Sequence, residues 1–341
     1  MDKQQVKEQE EGDFSNFRIC QTTQENLKAT KINYLFPIQV ATFNAIYDKK
    51  DLIGKDRTGS GKTLAFCLPV LERMRKKGKY FTNKSGQRPL ILVVVPTREL
   101  AIQVKREMER FRNDSREFRI QAFYGGTDIR NQIDALRYGV EAVIGTPGRL
   151  MDHIRRGTLS FKSLKVLILD ETDQMLNIGF QEDIEFIIKS IEKEFEEHKR
   201  KRSKLQMVLF SATVPRWVDK VARKFMKEDL TYVDLVKDGY NKTSMTVEHL
   251  AMQVPSAHHK LKSISDLVMV YGGAHCRTII FTDTKGRLAA YNPEIGYPGL
   301  KQVEYSEERH LRRETLSINH WNWARFRWKG AIGAGSADLR I

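Results

Sequence analysis

Leu90-Ile91-Leu92-Val93-Val94-Val95 is an uninterrupted aliphatic run, and it limits the fold more than any other stretch of this chain. Side chains in a strand alternate between the two faces of a sheet, so a strand with no polar alternation must be covered on both. Such a strand belongs in the middle of a parallel sheet. Shorter strand-like runs recur at Asp51 to Gly54, Ile120 to Tyr124, Glu141 to Ile144, Lys165 to Leu169, Gln206 to Phe210 and Thr231 to Leu235. Helical spacing fills the intervals at Lys62 to Lys77, Arg98 to Arg112, Asp128 to Tyr138, Gln181 to Lys193 and Arg216 to Lys227. The alternation predicts an α/β fold, a parallel sheet with helices on both faces.

Length and charge narrow the class further. The 341 residues suggest two domains. With 40% apolar residues a packed core is affordable, and 30% charged with 9% aromatic residues fits neither a fibre nor a disordered tail. No apolar run approaches the roughly 18 residues of a membrane span, and Met1-Asp2-Lys3-Gln4-Gln5 lacks the apolar stretch of a secretion signal. The three cysteines, Cys20, Cys67 and Cys276, are too scattered for a disulfide framework or a metal pair, so free thiols and an intracellular setting are expected. The net charge of +15 is compatible with a phosphate polymer as partner, although composition does not locate the charge. Lys199-Arg200-Lys201-Arg202 has no interleaved aromatics and reads as an exposed loop.

Strand Asp51 to Gly54 runs into Asp56-Arg57-Thr58-Gly59-Ser60-Gly61-Lys62-Thr63 and then an apolar helix. This is the strand-loop-helix setting of a phosphate loop. Its glycines let backbone N–H groups face phosphate oxygens, and the helix N-terminus adds a favourable dipole. Thr58, Gly59, Ser60 and Gly61 form the cradle, Lys62 would reach the β and γ phosphates, and Thr63 would place its hydroxyl on Mg²⁺. Strand Lys165 to Leu169 delivers Asp170-Glu171-Thr172-Asp173 at its C-terminal end, where open parallel sheets bind ligands. Asp170 would hold Mg²⁺ mostly through water. Glu171 would orient and deprotonate an attacking water. The catalytic candidates are therefore Lys62, Asp170 and Glu171.

These motifs, taken in order, resemble the DEAD-box RNA helicases of superfamily 2 over about residues 14–284. The adenine-recognition segment of that family resembles Lys31-Ile32-Asn33-Tyr34-Leu35-Phe36-Pro37-Ile38-Gln39, with Phe14 seventeen residues ahead of Lys31, which stands where the family usually has glycine. The resemblance gives Gln39 the reading of the adenine edge and Phe14 the stacking on the base. The Leu-Phe-Pro-Ile-Gln wording, Asp-Glu-Thr-Asp, and Val247-Glu248-His249-Leu250-Ala251 are most similar to the nucleolar Gu-type subgroup. ATP and Mg²⁺ are the implied cofactors and RNA, single-stranded or short duplex, the implied partner, with the nucleus or nucleolus as the implied location.

Pro96-Thr97-Arg98-Glu99-Leu100, Gly125-Gly126 and Thr146-Pro147-Gly148-Arg149 each follow a strand. In the resembled family these segments hold the RNA sugar-phosphate backbone, which assigns RNA contacts to Thr97, Arg98, Gly125, Gly126, Thr146 and Arg149. Backbone contacts of this kind are salt-sensitive and indifferent to sequence. Ser211-Ala212-Thr213 resembles the segment that couples the acidic site to domain closure, with Ser211 and Thr213 able to bridge to Asp173.

The resemblance implies a RecA-like ATP-binding domain followed by an incomplete second RecA-like domain. The expected organisation is a disordered N-terminus (1–13), the ATP-binding domain (14–236), a linker (237–245), the start of a second domain (246–285), with strands at Val247 to Val254 and Arg277 to Phe281, and a divergent tail (286–341). Two charged inserts, Lys76 to Arg88 and Glu194 to Lys204, read as surface loops. Thr278-Ile279-Ile280-Phe281-Thr282-Asp283-Thr284 is similar to the opening motif of the family's second domain. Beyond Lys285 neither an Arg-Gly-x-Asp nor a His-Arg-x-Gly-Arg element occurs, and the tail instead sets Trp321, Trp323 and Trp328 among Arg325, Arg327 and Lys329. The expectation is a truncated second domain and impaired ATP hydrolysis and unwinding, since those elements supply the arginines that reach the γ-phosphate. A non-hydrolysing ATP- and RNA-binding adaptor is the alternative.

Overall fold

The computed structural model describes residues 3–76, 88–112, 118–201, 204–236 and 250–254, and short pieces within 259–340. The chain separates into two compact units, Met1–Lys242 and Thr243–Ile341, a division that falls within the stretch 237–245.

The first unit opens with α1 (Lys3–Glu11), a turn of 3-10 helix at Phe14–Asn16, α2 (Gln21–Ala29) and α3 (Pro37–Tyr47). Strands and helices then alternate: β1 (Leu52–Lys55), α4 (Lys62–Lys76), β2 (Ile91–Val94), α5 (Arg98–Phe111), β3 (Ile120–Phe123), α6 (Ile129–Tyr138), β4 (Ala142–Gly145), α7 (Pro147–Arg155), β5 (Val166–Leu169), α8 (Thr172–Ile178), α9 (Gln181–Glu197), β6 (Gln206–Ser211), α10 (Arg216–Phe225) and β7 (Thr231–Asp234). The seven strands form one sheet in the order β3-β4-β2-β5-β6-β1-β7, every pairing parallel.

The aliphatic run that begins at Leu90 sits inside this sheet. Ile91, Val93 and Val95 join the core beneath α2–α5, while Leu92 and Val94 join the core beneath α7–α10, and none of the five has any exposed surface. Val166 and Ile168 against Leu167 and Leu169 divide in the same way on β5. Two-sided burial is thus what excludes polar residues from both strands. β7 is one of the two edge strands, with Tyr232 52% exposed, and Lys55 Nζ meets Asp234 Oδ2 at 2.9 Å beside it.

Two departures from the sequence-based expectation have physical causes. Residues 1–13 were expected to lack order, yet α1 spans Lys3–Glu11, and Leu35 N–H donates to Gly12 O at 2.8 Å, tying the helix end to the segment before α3. The insert from Glu194 to Lys204 is not wholly a loop, because α9 runs on to Glu197. Phe195 is buried there, the Glu194 carboxylate accepts from Ser160 Oγ and Phe161 N, and Arg200 donates to the carbonyls of Phe161, Lys162 and Leu164. Charge density resembled solvent exposure, but these charges have local partners. The other insert falls mostly at 77–87, outside the described residues.

In the second unit the described strands are β8 (Ala251–Gln253), β9 (Thr278–Thr282), β10 (Glu314–Ile318) and β11 (Asp338–Arg340), paired antiparallel as β8 with β11 and β9 with β10. Two of these, β10 and β11, lie in the tail 286–341. The linker, Cys276 and the tryptophan-basic segment lie outside the described residues.

The position of Lys31 explains why a glycine suits it. Ile32 N–H donates to Leu27 O and Lys31 N–H to Lys28 O, the Schellman closure of α2, and Lys31 takes φ +64° to make it. A residue with a β-carbon is strained there. Lys31→Gly is expected to raise stability by about 0.5–1 kcal/mol in urea unfolding, and an unchanged midpoint would contradict the strain. On β1, a Cβ added at Gly54 would lie 2.4 Å from Phe210 Cε1, so Gly54→Ala is expected to cost about 1–3 kcal/mol by the same measurement.

Candidate nucleotide and RNA site

A sheet in which every strand runs the same way collects all its strand-to-helix loops along one rim. The strand order then divides that rim. Adjacent β5, β6 and β1 carry the acidic segment, Ser211-Ala212-Thr213 and the phosphate loop, whereas adjacent β3, β4 and β2 carry Gly125-Gly126, Thr146 to Arg149 and Thr97-Arg98.

The phosphate loop joins β1 to the first turn of α4. Gly59 and Gly61 take φ +82° and +91°, and a Cβ at Gly59 would meet nothing within 4 Å. Lys62 is 6% exposed, and its ammonium donates to Asp56 O at 2.8 Å and Arg57 O at 2.7 Å. Burial lowers its pKa while the carboxylates of Asp170, Asp56, Glu171 and Asp173 oppose that shift, so the cation and the acidic segment share one electrostatic neighbourhood. Ser60 Oγ is buried without a hydrogen-bond partner. A buried orphan hydroxyl, a screened cation and glycine backbone open to one side together suit a polyphosphate.

Asp170 is 2% exposed at the end of β5 and accepts from Glu171 N–H at 2.9 Å. Burial, reinforced by the Glu171 carboxylate and opposed by Lys62, pushes the Asp170 carboxyl up to about 7. Glu171 has a left-handed backbone, φ 50° and ψ 46°, as the residue capping α8. A non-glycine residue held there costs about 1–2 kcal/mol and is seldom kept without a geometric reason. Asp173 Oδ2 accepts from both Thr213 N–H (3.1 Å) and Thr213 Oγ (3.0 Å), and Asp173 N–H donates to Ser211 Oγ at 3.1 Å. Thr172, fully buried, donates to Phe210 O at 3.2 Å, adding a further bond between α8 and β6. Among the described residues no cluster of three or more His, Cys, Asp or Glu side chains could hold a metal. The Thr63 hydroxyl and Asp170 could serve Mg²⁺ only as a partial shell completed by water and phosphate, which is how that ion is usually held.

Gln39, expected to read the base, is 4% exposed. Its Oε1 accepts from Phe36 N–H at 2.9 Å and its Nε2 donates to Gly61 O at 3.1 Å, so its amide joins the start of α3 to the phosphate loop. Phe14 departs from the stacking role expected of it. It is 3% exposed and packs in the core, because the turn it begins folds inward between α1 and α2. The aromatic ring that borders the loop is Phe36, 45% exposed and set edge-on to Tyr34. Sequence reasoning passed over it, although its place three residues before Gln39 was the available signal.

On the other half of the rim, Thr97 caps α5 by accepting from Leu100 N–H at 3.2 Å, and the exposed Arg98 guanidinium lies 4.8 Å from the Tyr124 ring centroid. Gly125 and Gly126 are exposed, Gly126 with φ +80°. Thr146 begins α7 without a side-chain cap. Arg149 does not project as a free cation. Its side chain is 10% exposed and is spent on Thr127 O, at 3.1 and 3.0 Å, and Gln132 Oε1 at 3.2 Å, because the turn after β3 folds over it.

Folding at neutral pH keeps a proton on Asp170 that the unfolded chain gives up near its ordinary 3.8. Stability from this group is therefore complete below pH about 4, declines as pH rises towards about 7 and is level above. Asp170→Asn removes the decline, so its stability relative to the parent should rise between pH 4 and 7.5. Urea midpoints at the two pH values test this, and an unchanged difference would refute a raised carboxyl pKa.

The comparisons with known proteins agree with this geometry. The family profile "DEAD/DEAH box helicase" matches residues 36–221. The chain is 44% identical over 292 residues to mouse ATP-dependent RNA helicase DDX50, covering 85% of this chain and 38% of that protein. It is 43% identical over 279 residues to rat nucleolar RNA helicase 2, covering 82% and 34% respectively. The chain thus spans well under half the length of these relatives. Among solved structures, a DEAD box protein from the hyperthermophile Methanococcus jannaschii superposes with a TM-score of 0.57 at 28% identity, covering 84% of this chain and 71% of that one. With a profile match over more than half its length and the seven-stranded parallel sheet beneath it, this chain belongs to the DEAD/DEAH box helicase family.

Proposed function

We propose that this chain binds ATP with Mg²⁺ on the β5-β6-β1 half of the rim and the backbone of RNA on the β2-β4-β3 half, as the ATP-binding portion of an RNA helicase. The observation that carries the reading is the union of Lys62, Asp170 and Glu171 in one electrostatic neighbourhood beside a loop with a buried orphan hydroxyl. Lys62 would exchange the carbonyls of Asp56 and Arg57 for β and γ phosphate oxygens. Thr58, Gly59, Ser60 and Gly61 would cradle the polyphosphate, and Gln39 would present its amide to the adenine edge. Asp170, once ionised, and Thr63 would hold the metal, which when bound neutralises phosphate charge. Glu171 would accept the proton of the attacking water. Asp173, Ser211 and Thr213 would couple this half to RNA held by Thr97, Arg98, Gly125, Gly126 and Thr146.

Turnover by this chain alone is proposed to be weak. The sequence between Gly286 and Ile341 has neither of the arginine-bearing elements that the resembled family uses at the γ-phosphate, and an arginine of that kind is worth about 10³ to 10⁵ in rate in related phosphoryl transfers. A nuclear or nucleolar site is proposed from nucleolar RNA helicase 2. Among the described residues no helix is long and apolar enough to cross a membrane.

Phosphate release with and without single-stranded RNA, against Lys62→Ala, tests the reading at two salt concentrations. A slow, RNA-stimulated rate that Lys62→Ala abolishes is expected, with RNA affinity falling steeply as salt rises. ATP and RNA binding with no release above the Lys62→Ala background would favour the adaptor. Failure to bind ATP would overturn both readings.

A further inference from the structure

The side chains behind the Gly125-Gly126 turn form a buried polar network that the nucleotide chemistry does not use. Gln132, in the first turns of α6, is 8% exposed and makes four hydrogen bonds. Its Nε2 donates to Thr127 Oγ at 2.8 Å and Tyr124 O at 3.4 Å, and its Oε1 accepts from Arg149 at 3.2 Å. These neighbours fix the orientation of the amide, since a carbonyl faces its nitrogen and a guanidinium its oxygen. The remaining contact, 2.9 Å between Gln132 Oε1 and His153 Nε2, then requires the proton on Nε2. His153 Nδ1 lies 2.9 Å from Thr158 Oγ, whose single proton also has His153 O within reach at 3.1 Å. The ring has no exposed surface and lies 4.8 Å from the Phe123 ring; burial, with Arg149 beside it, lowers its pKa to about 4 and keeps it neutral.

The network ends on the turn. Thr127 Oγ donates to Tyr124 O at 3.1 Å, and Arg149 donates twice to Thr127 O, so residues 124 and 127 are pinned while Gly125 and Gly126 stand exposed between them. Arg98 meets the same turn from the start of α5, over the Tyr124 ring. We infer that Gln132, seated by His153 and Thr158, is a positioning residue for RNA: it touches no ligand but, with Arg149, fixes the pose in which Gly125 and Gly126 meet the sugar-phosphate backbone. The inference rests on the RNA reading of this half of the rim. It also recasts Arg149 as a brace for the turn.

The full chain serves as the test protein, in the variants Gln132→Leu and Thr127→Val. The second removes only the half-exposed hydroxyl through which Gln132 reaches the turn and leaves the core intact. Three quantities are read: affinity for a fluorescein-labelled oligouridylate, affinity for a fluorescent ATP analogue, and amide hydrogen exchange at Gly125 and Gly126. Each variant should bind the oligonucleotide about tenfold more weakly, the scale of one lost hydrogen bond that held the turn. Exchange at the two glycines should quicken and ATP-analogue affinity stay unchanged. Folded variants with parental RNA affinity and exchange would overturn the inference, as would parallel loss of RNA and nucleotide binding in Thr127→Val. If the parent itself binds no oligouridylate, the RNA reading fails, and the exchange measurement alone decides whether Gln132 holds the turn.

Discussion

Burial of β2 and β5 on both faces is the constraint from which the rest follows. Their strands carry no polar alternation because helices cover them above and below, and here parallel strands with helical crossovers bring that about. Parallel strands place all their C-terminal ends on one rim, and the crossovers place helix N-termini there as well. Lys62, Asp170, Ser211 and Thr97, up to 149 residues apart in sequence, become neighbours along one edge without any contact designed to unite them. Chemistry is then distributed by strand order alone.

The proposed coupling between the two halves of the rim would have a short physical route. Asp173 is bonded through its carboxylate and backbone to Thr213 and Ser211, and Thr172 binds the carbonyl of Phe210, so α8 and the end of β6 are fastened at several points. β5 pairs with β2 on one side and β6 on the other. Under that proposal a shift in the acidic segment would be felt at both neighbours, because closely packed layers do not absorb displacement gradually.

The sheet was legible in the sequence because hydrophobic periodicity reports burial directly, and the strand-loop-helix around Asp56 to Thr63 because its glycines stand between an apolar strand and an apolar helix. What escaped were residues whose role depends on distant partners. Phe14 has the spacing of a stacking aromatic, yet only the fold of α1 and α2 around it shows that its ring is enclosed. Arg149 reads as a cation awaiting phosphate, and its enclosure depends on Thr127 and Gln132, 22 and 17 residues away. Arg200 belongs to a run whose charge suggests solvent, while three carbonyls near Phe161 claim it. Gln132 and His153 carried no signal, since a buried amide and a buried imidazole look like ordinary polar residues until their bonds are traced.

The ammonium of Lys62 is already satisfied by two carbonyls of its own loop. An arriving anion therefore gains only the difference between its own bonds and those it displaces. At the proposed site a lone phosphate would offer little over what the loop provides for itself, whereas a triphosphate would also engage the glycine amides and the orphan hydroxyl of Ser60. Under the proposed reading, self-satisfaction of the lysine would thus work as a threshold, favouring ligands with a long phosphate chain over small anions.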